Sequence, residues 1–182
     1  MLMLKPHEIL LITFYASNFV YFLHAAFSMT VLCTGTILFL SLFSDTRCTD
    51  EVDLILNVDL SGSVTRFLPQ MRSFLADFLS QYTIGPDNTQ VAMVTFLDPA
   101  VVNWNWQSPQ TSSYDVLVQN INSVMSSVGS VGTVNIGFLR AQADVIGSQF
   151  DRPDAENVII TIGDGGESPS LPSLDDISEQ AR

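Results

Sequence analysis

The run Val52-Asp53-Leu54-Ile55-Leu56-Asn57-Val58 leads directly into Asp59-Leu60-Ser61-Gly62-Ser63, and this junction constrains the fold more than any other stretch. An apolar run of strand length with little alternation is what a strand buried on both faces requires. Such strands form the middle of parallel sheets covered by helices. Open α/β sheets bind ligands beyond the carboxyl ends of their strands. There this chain places one carboxylate and two hydroxyls at alternate positions. A cluster of hard oxygens without nitrogen or sulfur suits Mg²⁺ or Mn²⁺ rather than zinc or copper. Asp, Ser and Gly after a strand are also ordinary turn residues, so the loop alone leaves both readings open.

Strands and helices alternate along the rest of the chain. A helix is expected from about Val64 to Tyr82, with Phe67, Met71, Phe74, Leu75, Phe78, Leu79 and Tyr82 on one apolar face. Pro69 falls near its first turn, where a missing N–H costs little. Gln90 to Phe96 reads as a second strand. Val101 to Trp106 reads as a short edge strand with one wet face, and its two tryptophans are assigned to packing. A helix from Tyr114 to Met125 presents Tyr114, Leu117, Ile121 and Val124. Another from about Asn135 to Ile146 would bury Ile136, Leu139, Ala143 and Ile146. Asn157 to Ile162 is a fourth, central strand. The pattern implies an α/β fold with a doubly wound, mostly parallel sheet and one antiparallel edge strand.

Two further oxygen-bearing loops, Gly132-Thr133-Val134-Asn135 and Gly163-Asp164-Gly165, follow at strand or helix boundaries. With them, residues from about Asp53 to Arg182 resemble the von Willebrand factor type A domain, including the integrin inserted domain. The metal-ion-dependent adhesion site of that family uses an Asp-x-Ser-x-Ser loop, a Thr from a second loop and an Asp from a third. The matching positions are Asp59, Ser61, Ser63, Thr133 and Asp164. The resemblance implies that these five hold the cation, directly or through water. Gly163 departs from the pattern, since relatives usually carry Thr before the Asp. The expected consequence is altered loop packing, with no metal ligand lost.

Charge and absent residues exclude other classes. The chain has 182 residues and a formal net charge of −12. Nucleic acid, whose phosphates need Lys and Arg, is not an expected partner. From Met29 onward there is no His and no Lys. That rules out, within this stretch, a Ser-His-Asp triad, a His-assisted Cys nucleophile and a P-loop lysine. A His/Cys zinc site is excluded too, because Cys48 is the one Cys of that stretch outside the apolar leader.

Residues 1–48 read as an apolar leader with a short linker, and 49–182 as the domain. Ile9 to Phe43 carries no charged side chain. Three readings compete: two short membrane segments, one segment followed by a signal, or a true start at Met29 with a secretory signal peptide to about Ser44. The third is preferred for its apolar core of suitable length and the small residues after it. All three route the domain through the secretory pathway, either secreted or membrane-anchored. Extracellular relatives often pair a Cys near position 48 with one after the last helix. That partner is absent here, so the resemblance places it beyond Arg182. It likewise implies further strand–helix pairs after Leu174 to Arg182, which begins as an amphipathic helix. The sheet would then be incomplete at the C-terminus and leave an apolar edge at the fourth strand.

The expected function is an extracellular, metal-dependent adhesion or matrix-binding module that is not an enzyme. Three neutral hydroxyls offset the ion's charge weakly, and the first helix adds partial positive charge at its N-terminus. The cation would remain electrophilic toward an Asp or Glu side chain of a protein ligand such as collagen or another matrix protein. The alternatives are a metal-assisted hydrolase and a scaffold with a vestigial site.

Overall fold

The computed structural model describes residues 10–15, 52–129, 131–146, 148–164 and 170–172. Cys33, Cys48, the lysine and both histidines lie outside these, as do Gly165 and the expected helix from Leu174. The strands are β1 (Leu10–Tyr15), β2 (Val52–Asp59), β3 (Gln90–Phe96), β4 (Val101–Trp104) and β5 (Glu156–Gly163). The α-helices are α1 (Leu68–Leu79), α2 (Tyr114–Val124) and α3 (Val134–Asp144). The sheet order is β1-β5-β2-β3-β4, parallel except for β4, which runs antiparallel to β3 with a bulge between Met93 and Val94.

β2 has its apolar run buried because helices cover both faces. Leu54, Leu56 and Val58 pack with Met71, Leu75 and Leu79 of α1 and with Leu117 and Ile121 of α2. Ile55 faces the other way, with Val94, Phe96 and Ile159, against Phe138 and Ala141 of α3. Side chains alternate across a strand, so one continuous run supplies two cores. Truncating a fully buried aromatic such as Phe138 to Ala costs about 3–5 kcal/mol in cores of this kind. Both tryptophans are buried, Trp104 in the first core and Trp106 in the second.

Three expectations change. The helix expected from Val64 begins as a short 3-10 helix, Gly62–Phe67, and becomes α-helical at Leu68. Pro69 has no N–H to return to Thr65, so the preceding turn closes by the tighter Leu68 N–H to Thr65 carbonyl bond. The buried face of α3 is also rotated from the one expected. Val134, Asn135, Gly137, Phe138 and Ala141 are buried, whereas Ala143 is exposed and Ile136, Leu139 and Ile146 are half-buried. The cause is Gly137, where a Cβ would run into Asn57 Oδ1 and lie 2.7 Å from Phe96 Cβ. The glycine lets the helix approach the sheet closely, and the face centred there is the one covered. Finally, the outer edge of β5 is not left open along its length. Leu10–Tyr15, within the stretch read as a leader, pairs with it in parallel from Leu10↔Val158 to Tyr15↔Gly163. Its composition of β-branched and aromatic residues suits a strand, and the unpaired edge supplies the hydrogen-bonding groups.

Candidate metal centre

β2 ends at Asp59, whose side chain is 1% exposed. Its Oδ1 accepts a hydrogen bond from the Ser61 N–H at 2.7 Å, which bends the chain at the end of the strand. The turn brings the Ser61 and Ser63 hydroxyl oxygens within 2.8 Å of each other. Ser61 is buried against the sheet, while Ser63 sits exposed in the first turn of the 3-10 helix. The two hydroxyls therefore lie together at the turn, one on a buried residue and one on an exposed residue.

The third loop arrives through β5, the neighbour of β2. Asp164 follows the last residue of β5, and its N–H points at Asp59 Oδ2 across a long 3.5 Å contact. The carboxylate of Asp59 thus faces backbone donors of both its own loop and the next. Asp164 itself is exposed. Burial pushes the Asp59 carboxyl above its ordinary 3.8, and the nearby charge of Asp164 acts in the same direction. The Ser61 hydrogen bonds pull the other way without winning.

The second loop is tied to the first by the Gly129 N–H, which donates to the Leu60 carbonyl at 2.8 Å. It delivers Thr133 to the N-cap of α3, in an extended conformation. A threonine there ordinarily accepts from the N–H of the second or third helical residue. Thr133 makes no such cap bond, and its Oγ1 is buried without a hydrogen-bond partner among the described residues. An unpaired buried hydroxyl costs about 1–3 kcal/mol, and a bound cation would satisfy it.

The donors fit a hard divalent cation. Among the described residues, no three His, Cys, Asp or Glu side chains gather at one point. Any ion held here must therefore draw on hydroxyls as well as the carboxylates of Asp59 and Asp164. Arg66 is exposed, its guanidinium 4.6 Å from the centre of the Phe67 ring. Sequence reasoning marked Gly163 as a departure but did not place it and Phe96 beside Asp59. They belong to the strands on either side of Asp59, and only the register puts all three at one place.

The family model of the von Willebrand factor type A domain matches residues 53–182. No curated protein is a significant match to the chain. Among solved structures, proximal thread matrix protein 1 from the mussel byssus, described with a zinc-occupied metal-ion-dependent adhesion motif, superposes with a TM-score of 0.62 at 24% identity, over 75% of this chain and 34% of that one. A second crystal form of the mussel protein gives 0.61 at 25% identity with the same coverage. A manganese-loaded TRAP protein of Plasmodium vivax matches at 15% identity and a TM-score of 0.48, over 71% of this chain and 68% of that one, too loosely to bear on the site. The chain spans about a third of the length of the mussel structures it matches.

Proposed function

The chain belongs to the von Willebrand factor type A family, and we propose that it is an extracellular binding module that captures a carboxylate of a protein partner through a bound divalent cation. The observation that carries this reading is the buried, unpartnered Oγ1 of Thr133 on a loop tied to the Asp59–Ser63 turn. Ser61, Ser63 and Thr133 would supply neutral oxygens, and Asp59 and Asp164 the negative charge, directly or through water. A cation bound there supplies an electrophilic coordination position for an outside oxygen. Asp59 orients the turn through the Ser61 N–H, and Gly129 holds the Thr133 loop against Leu60.

Mg²⁺ or Mn²⁺ suits this all-oxygen set. The zinc in the mussel protein's motif makes zinc the competitor to include. We read the site as one for binding rather than hydrolysis. From Met29 onward Arg is the only strongly basic side chain, and Arg66 rests on Phe67. A matrix protein such as collagen is the partner class proposed, and secretion or membrane anchoring the proposed location.

The test is adhesion of the protein to collagen-coated and glutamate-peptide surfaces, with Mg²⁺, Mn²⁺ or Zn²⁺, with chelator, and with Asp59→Ala. Binding that needs the cation and Asp59 supports the reading. Adhesion indifferent to chelator would overturn it.

A further inference from the structure

Gly163, Asp59 and Phe96 lie side by side on three neighbouring strands. Asp59 pairs with Phe96 between β2 and β3, and the Val58↔Ile162 pair places Gly163 next to Asp59 between β2 and β5. A Cβ on Gly163 would stand 2.8 Å from Asp59 Cβ, 2.9 Å from Asp59 Oδ2 and 3.0 Å from Phe96 Cζ. Real Cβ atoms do not make the first two contacts. Neither neighbour has an easy retreat. Asp59 Cβ is fixed to the strand, and its carboxylate is tied to the Ser61 N–H. Phe96 is 1% exposed, in the core under α3. Phe96 thus reaches past Asp59 into space that a side chain at position 163 would fill.

We infer that Gly163 is a positioning residue for the Asp59 carboxylate, its missing side chain leaving the space that the carboxylate and the Phe96 ring share. In this chain, therefore, glycine at 163 is required for cation affinity. Thr, expected there from the resemblance, would weaken the site. The argument runs through packing. A Cβ at 163 forces Asp59 Oδ2 away from the third loop and twists Oδ1 off the Ser61 N–H. The Ser61 and Ser63 hydroxyls then lose the turn that pairs them. The cation consequence rests on the function proposed above, but the packing claim does not.

The experiment uses the full chain with Gly163→Ala, Gly163→Thr and Gly163→Ala/Phe96→Leu, and two readouts. Calorimetric titration with Mg²⁺ and Mn²⁺ gives affinity, and amide hydrogen exchange in chelator gives the state of the Ser61 N–H without any metal. Gly163→Ala should lower cation affinity about tenfold or more, as losing support around a ligand does. It should also speed exchange at Ser61 while the amides of Leu56 and Val94 keep their protection. Phe96→Leu should return part of both losses by giving the carboxylate room. Should Gly163→Thr fail to fold, the alanine and double variants carry the test. A folded Gly163→Ala with native affinity and a native Ser61 exchange rate overturns the inference. So does a double variant no better than the single one. If the native protein binds no cation, the function proposed above fails, and the Ser61 exchange comparison alone still decides the packing claim.

Discussion

Arg152 holds the buried carboxylate of Asp53 at 2.6 Å, at the opposite end of β2 from the hydroxyl loops. The same guanidinium donates to the Asn88 carbonyl at 2.7 Å. One side chain thereby fastens the approach to β5 to the start of β2 and to the turn before β3. Burial pushes the Asp53 carboxyl above its ordinary value, against the opposing pull of Arg152.

Removing that cation should be costly. Arg152→Ala leaves Asp53 buried and unpaired, for which about 3–5 kcal/mol is typical; because Arg152 is partly exposed, the low end applies. Urea unfolding of the variant measures the loss. The double variant Asp53→Leu/Arg152→Met should recover most of it, and a recovery of nothing would mean the pair acts through something other than its charge.

Thr133→Val should separate stability from binding. Deleting an unpaired buried hydroxyl leaves the cation-free protein as stable as before, or more stable by up to about 1–3 kcal/mol. The rise in melting temperature produced by Mg²⁺ should shrink or vanish. Thermal unfolding with cation and with chelator gives both numbers. An undiminished Mg²⁺ effect would remove Thr133 from the site.

The raised Asp59 carboxyl gives a pH dependence of fixed sign. Its pKa is higher in the fold than in the unfolded chain, so the fold holds the proton more tightly. Its contribution to stability is complete below the ordinary carboxylate value and is lost as pH rises through the raised one. Cation binding competes with that proton, so affinity should fall as pH drops through the same window, and cation uptake should release protons. Calorimetry in buffers of different ionisation enthalpy counts them. Asp59→Asn should abolish the release.

Gly137→Ala tests the approach of α3. The added methyl meets Asn57 Oδ1 and Phe96 Cβ well inside contact distance. A cost of about 1–3 kcal/mol is expected from overpacking, although alanine is the better helix former. A neutral or stabilising result would show that α3 can back away from the sheet freely.

The parts of the fold carried by local pattern were legible in the sequence. The apolar run of β2 announced a doubly covered strand, and Gln90–Phe96 was bounded correctly. Asp59, Ser61 and Ser63 sit within one turn, so their mutual geometry follows from spacing alone. Thr133 and Asp164 needed the resemblance, since nothing local ties them to Asp59. Periodicity misplaced the buried face of α3. It weighed Ile136 and Leu139 by hydrophobicity, whereas closeness of approach is set by the side chain Gly137 lacks. The pairing of Arg152 with Asp53 spans 99 positions and joins two elements whose adjacency only the sheet order reveals. The cost of a side chain at Gly163 was invisible for the same reason. It depends on Phe96, two strands away.

β2 is adjacent to β5, so Asp59 and Asp164 meet across 105 positions of chain, with β3, β4, α1, α2 and α3 between them. No early fragment contains both carboxylates. Contacts of such separation form late and slowly, after loop-closure entropy has been overcome. Cation uptake during refolding therefore times the arrival of β5, and a stopped-flow signal from the ion would serve as a clock for its pairing with β2.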